Sequence, residues 1–161
     1  MELFLEWAWA RHHSLLSWYI RPLFVLPYCY FAYKRKLWLI LLTLAIFPTT
    51  IFWFPAPETV SDNVLQYMNF EREFLLHASV LHRVSLLLLV IVFLWVLALA
   101  FWKRSWLAGV LVLNIGTMMK VVWSIFFGGE IGYASIVPSV VTLIVCNTVL
   151  YFIWRRVSAE Q

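Results

Sequence analysis

Asn-Ile-Gly-Thr-Met-Met-Lys-Val-Val-Trp-Ser-Ile-Phe-Phe-Gly-Gly-Glu, residues 114–130, is apolar enough to lie in a membrane and yet contains Lys120. An ammonium group in hydrocarbon costs about 3 kcal/mol or more, so such a residue is either drawn to an interface or used for function. Arg21 poses the same question in another apolar stretch. The reading of these two cations depends on what the rest of the chain builds around them.

Of the 161 residues, 64% are hydrophobic and 12% are charged. Soluble domains run near half apolar and a quarter charged, so the solvent this composition suits is a bilayer. The formal net charge is +4, but the cations fall in short clusters between apolar runs. That pattern does not make a nucleic-acid surface, and no nucleic-acid partner is expected. Cys29 and Cys146 lie in apolar segments without CxxC spacing, which predicts buried, inert thiols. The N-terminal residues carry Glu2 and Glu6 where a secretory signal has Lys or Arg, so no signal peptide is expected.

Five apolar stretches occupy residues 14–33, 37–54, 84–102, 106–127 and 133–154. About twenty helical residues cross a hydrocarbon core. The expected fold is therefore an all-α integral membrane protein, a single polytopic domain over 1–161 with five transmembrane helices. Pro22 and Pro27 predict a kink in the first span. Pro48 predicts one in the second, where Thr49 and Thr50 can bond nearby backbone, and Pro55 and Pro57 stop the helix. The third span is nearly featureless Leu, Val and Ile, and is expected to face lipid.

Residues 58–83 are the sizeable polar stretch. Thr59, Ser61 and Asp62 are candidate N-caps, and Val64, Tyr67, Met68, Glu71, Phe74 and Leu75 recur at helical spacing. This predicts an amphipathic interfacial helix over about 61–79, between spans two and three. Short connections at Lys103–Arg104 and after Gly128–Gly129 predict antiparallel neighbours among the last three spans.

The loop charges sort by side. Lys34, Arg35, Lys36, Lys103, Arg104, Arg155 and Arg156 fall on one side, with Glu160. Glu2, Glu6, Glu58, Asp62, Glu71, Glu73 and Glu130 fall on the other, with Arg11, Arg72 and Arg83. The positive-inside rule puts the first group in the cytoplasm, so the N-terminus is expected outside and the C-terminus inside. The default location is a bacterial cytoplasmic (inner) membrane.

In this topology Arg21 and Lys120 both lie roughly 10 Å below the outer surface, at about 1.5 Å per residue. One reading has both snorkel to the interface as positional anchors. The other has them converge on an outer-leaflet pocket for a lipid phosphate or carboxylate, with Asn114, Thr117 and Ser124 on the same stripe as Lys120. Ser135, Ser139, Thr142, Cys146 and Asn147 give the last span a matching small, polar face. Glu71, Glu73 and His77 are the candidate acid–base groups. Glu73 and His77 share a helix face at a spacing metals use, and His12 or His13 would complete a site. No metal or other cofactor is expected, because no complete ligand motif is present and no His lies mid-span.

Three functions fit these features. The first is a small binding or accessory subunit with lipids, other membrane subunits or a second copy as partners. The second is a membrane enzyme acting on a lipid-like substrate at the outer interface. The third is a small oligomeric transporter.

Overall fold

In the computed structural model the described residues are Trp7, Arg11, 14–57, 59–60 and 62–159. They are all-helical, with no strand among them. Helix α1 (Leu15–Ile20) passes through a 3-10 turn (Arg21–Phe24) into α2 (Val25–Tyr33). Pro22 occupies the first turn of that 3-10 segment, where its missing N–H is tolerated. Helix α3 (Leu37–Ile46) likewise tightens to 3-10 over Phe47–Phe52 at Pro48. Both kinks thus sit at prolines. Thr49 Oγ1 donates to the Ile46 carbonyl at 2.7 Å and Thr50 Oγ1 to that of Phe47 at 2.6 Å, as the proline and threonine spacing predicts.

The surface segment forms α4 (Asp62–His77), and α5 (Val80–Trp102) follows almost at once. This third apolar helix begins four residues before the position 84 expected from hydropathy. Ser79 caps it, accepting from the His82 backbone N–H at 3.3 Å, so the polar first turn with His82 and Arg83 is helical too. Helix α6 (Trp106–Gly128) ends where Gly129 takes φ 57°, a left-handed conformation that favours glycine. A 3-10 turn (Gly129–Ser135) stands where a short loop was expected, and α7 (Ile136–Ala159) closes the chain.

Among the described residues two stretches are long and apolar enough to cross a membrane: Val80–Trp102, and the helical run Trp106–Ala159. The second folds back on itself. Asn114 meets Asn147, and Gly132 abuts the Ser124 carbonyl so closely that a Cβ there would overlap it. Leu37–Thr50 is a shorter apolar helix.

The core gathers residues from α2, α3, α5, α6 and α7, with Cys29, Ala32, Leu97, Phe101 and Cys146 fully buried. Gly109 and Gly116 face α5, against Phe101 and Phe93, rather than serving the α6–α7 seam. That seam carries the Asn114–Asn147 pair, while Ser139, Thr142 and Cys146 of α7 are buried and Cys146 joins the core with Cys29 of α2.

Two connections close in the same way. Lys34-Arg35-Lys36 and Lys103-Arg104-Ser105 each fold back with the same three backbone hydrogen bonds, and Arg35 and Arg104 take φ 55° and 58°. This is a Schellman closure with arginine where glycine is usual. The two turns lie side by side: Arg35 Nε donates to the Trp102 carbonyl at 3.1 Å, and the Arg104 guanidinium sits 5.6 Å from the Tyr33 ring centre. The cations of both turns are thereby held at one end of the bundle, opposite the end where α4 and Glu130 lie.

Candidate functional site

At the acidic end, α4 lies against α6 and the turn that follows it. Its inward face is Val64, Tyr67 and Met68, spaced at helical intervals and buried. Phe70 and Phe74 continue it, with the Phe74 ring edge-on to Trp123 at 5.1 Å and near Phe127 at 6.0 Å. Each such ring pair contributes about 0.5–1.5 kcal/mol beyond area.

This aromatic seal encloses a polar junction. The Tyr67 and Ser124 hydroxyls hydrogen-bond at 3.1 Å, both buried. Glu71 and Ser135 also lie within reach of the Tyr67 hydroxyl. Burial first, and then the Glu71 carboxylate, push the Tyr67 phenol above its ordinary pKa, so it stays a neutral donor. Glu71 also acts on the charge of Arg21, which is half-buried where α1 gives way to the 3-10 turn. Ser17, one turn earlier, is fully buried and donates to the Ser14 carbonyl at 2.6 Å. The Trp18 ring packs edge-on to Tyr67 at 5.4 Å, which ties the first helix to α4. Beside the junction a cleft of about 400 Å³ opens to the surface, lined by Asn63, Gln66, Glu130 and Tyr133.

The residues singled out from sequence divide into separate places. Ser124, Arg21 and Glu71 belong to the junction. Lys120 does not: it is exposed on α6, and Glu71 is the charged group that acts on Arg21. Asn114 and Thr117 lie deeper. The Asn114 and Asn147 amides donate to each other reciprocally at 3.0 Å, and Asn114 Nδ2 also donates to the Val110 carbonyl at 2.7 Å. Thr117 Oγ1 donates to the Leu113 carbonyl at 2.9 Å. Lys120, Asn114, Thr117 and Ser124, expected on one anion-binding stripe, thus have different surroundings. Helical spacing aligned them, but Asn114 meets Asn147 of α7, Ser124 meets Tyr67 of α4, and Thr117 bonds within its own helix.

Glu73 and His77 pair at 3.3 Å on the outward face of α4, with side chains 68% and 73% exposed, so they do not face Glu71 or the junction. His12 and His13, the other candidate metal ligands, lie outside the described residues. Among the described residues no three His, Cys, Asp or Glu side chains gather as a metal site would require. Tyr67 and Ser135 are the junction members that the sequence reading assigned to packing. The signal was the Tyr67 hydroxyl on an otherwise apolar helix face, where a buried phenol needs a partner.

The site and fold define a class: an all-helical protein with apolar helices long enough for a membrane and a buried polar junction under a surface helix. No protein-family model matches the chain, and no curated protein or solved structure matches it either.

Proposed function

We propose that the chain is a five-span membrane protein, N-terminus outside and C-terminus in the cytoplasm, that acts as a binding or accessory subunit. Exposure supports the membrane reading as well as composition does: the most apolar window of Val80–Trp102 is 11% buried, and that of Trp106–Ala159 is 17% buried. A helix in a soluble core would be mostly buried. The contact between the two arginine turns, with α4 at the opposite end, supports the charge-based topology. A C-terminal fluorescent-protein fusion should fluoresce and a C-terminal alkaline phosphatase fusion should be inactive; the reverse would overturn this orientation.

The ligand in this reading is an amphipathic anion, a phosphate or carboxylate on an apolar tail, entering from the outer leaflet. The observation that carries it is Arg21, half-buried in the first apolar segment and within electrostatic range of Glu71. An incoming anion competes with the Glu71 charge for the guanidinium. Arginine suits that exchange because its fork grips either oxyanion in the same plane. The exchange fixes opposite signs for two substitutions. Titrated with decyl phosphate in neutral maltoside micelles, Arg21→Gln should lose binding and Glu71→Gln should bind several-fold tighter. Lys120→Gln should bind like wild type, since Lys120 faces outward. Wild-type binding by Arg21→Gln, or no gain in Glu71→Gln, would overturn the assignment.

A further inference from the structure

A second cleft, of about 600 Å³, lies between α6 and α7 on the half of the bundle nearer the cationic turns. Its floor is the Asn114–Asn147 pair and its rim is Trp106, Tyr151 and Trp154. From Trp106 to Asn114 the helix rises about 12 Å at 1.5 Å per residue. The walls are almost wholly apolar, with Val110 and Leu150 among them. The two amides of the floor bond each other, so they ask nothing of an apolar occupant.

Two cations neighbour the rim in sequence. Arg155 follows Tyr151 by one helical turn and so continues the cleft face of α7. Lys103 stands in the turn just before Trp106. Both are exposed, and among the described residues neither side chain makes an ion pair or a hydrogen bond. Their neighbours Arg35 and Arg104 are engaged with the Trp102 carbonyl and the Tyr33 ring. The described acids, Asp62, Glu71, Glu73 and Glu130, all belong to α4 or to the turn after α6, at the other end; Glu160 lies outside the described residues.

We propose that this cleft binds one anionic glycerophospholipid, an acyl chain lying against the apolar walls and the phosphate between Lys103 and Arg155. Tryptophan and tyrosine at the rim sit at the headgroup level, where aromatic side chains are favoured. The site rests on the membrane reading above, but shares no residue with the Arg21 junction.

The test is native mass spectrometry of the full chain, released from micelles supplied with equal palmitoyl-oleoyl phosphatidylglycerol and palmitoyl-oleoyl phosphatidylcholine. Wild type should retain one lipid and prefer the phosphatidylglycerol by about twenty-five-fold, since two interfacial cations contribute roughly fivefold each. Lys103→Gln/Arg155→Gln should lose most of that preference. Leu107→Trp changes a cleft residue that is 74% exposed, so it spares the core and should lower retention of both lipids. Lys34→Gln/Lys36→Gln removes equal charge from the same end and should keep the selectivity, as should Arg21→Gln. Equal retention of the two lipids by wild type overturns the site. So does an equal loss in the Lys34/Lys36 variant, which would mean the charge of the whole end is felt rather than a cleft.

Discussion

The reciprocal amide pair between Asn114 and Asn147 makes the sharpest energetic prediction. Each side chain donates Nδ2–H to the other's Oδ1 at 3.0 Å, so replacing either one removes both bonds at once. Hydrogen bonds between membrane helices contribute about 0.6 kcal/mol on average and up to about 1.7 kcal/mol. Two together give an expected coupling of about 1–3 kcal/mol. Asn114→Leu leaves the Asn147 amide facing an apolar cleft, whereas Asn147→Leu leaves Asn114 its bond to the Val110 carbonyl and strands its Oδ1. Each single variant should therefore lose about 1–3 kcal/mol, the cost of a polar group left without its partner. The double Leu variant strands neither amide and keeps the branching at Cγ, so it should lie close to wild type. Cys29 and Cys146 are the two thiols of the chain and both are fully buried, which makes maleimide labelling across a dodecyl sulfate titration a direct reporter of unfolding. Additive losses, with a coupling below about 0.5 kcal/mol, would show the amides to be independent and refute the clasp.

Three further outcomes follow from the backbone and the junction. Gly132→Ala places a Cβ into the Ser124 carbonyl, a main-chain atom that cannot rotate away, so it should cost about 1–3 kcal/mol or more in the same labelling assay. Tyr67 has a folded pKa above its unfolded value near 10, so its stabilisation is complete below about pH 10 and is lost as pH rises through the folded value. Unfolding midpoints should fall above about pH 10 in wild type, and less steeply in Tyr67→Phe; parallel slopes would exclude Tyr67 as the source. Arg35→Gly and Arg104→Gly each relieve a left-handed non-glycine residue worth about 1–2 kcal/mol, offset by the lost contacts to Trp102 and Tyr33. Their net effect on stability should stay within about 1 kcal/mol, while the fraction of chains inserted with the cationic end inside should fall in reporter fusions.

The helices were legible in the sequence because their signals are local. Prolines at 22 and 48 marked both kinks, Gly128 and Gly129 marked the end of α6, and the Val64–Tyr67–Met68 spacing marked the buried face of α4. The start of α5 was misplaced because hydropathy weighs His82 and Arg83 as polar, whereas a Ser79 cap makes their turn helical whatever their polarity. The grouping of side chains was the less legible part. A stripe on one helix gives directions around a single axis, and says nothing of which neighbour reaches it at each height. Asn114 and Ser124 share a stripe on α6, yet one meets α7 and the other meets α4.

The position of Lys120 follows from the way α5 leaves the bundle. Phe101 packs on Gly109 and Phe93 on Gly116, so the glycines let α5 and α6 approach closely over about two turns. Beyond Phe93 toward its N-terminus, α5 exposes Leu87, Leu88, Leu89, Val90, Ile91 and Val92 in succession, which covers every face of the helix. A helix exposed and apolar on all sides has parted from its neighbour. The α6 residues that continue the Gly109–Gly116 line toward the acidic end reach Lys120, which is exposed. Lys120 is thus left exposed, while Arg21 is half-buried within electrostatic range of Glu71 on α4. The two cations begin at similar depth in the sequence reading and end in different surroundings. A larger side chain at Gly116 would meet the Phe93 ring and hold α5 further from α6, so substitution there would widen the seam near Lys120 rather than close it.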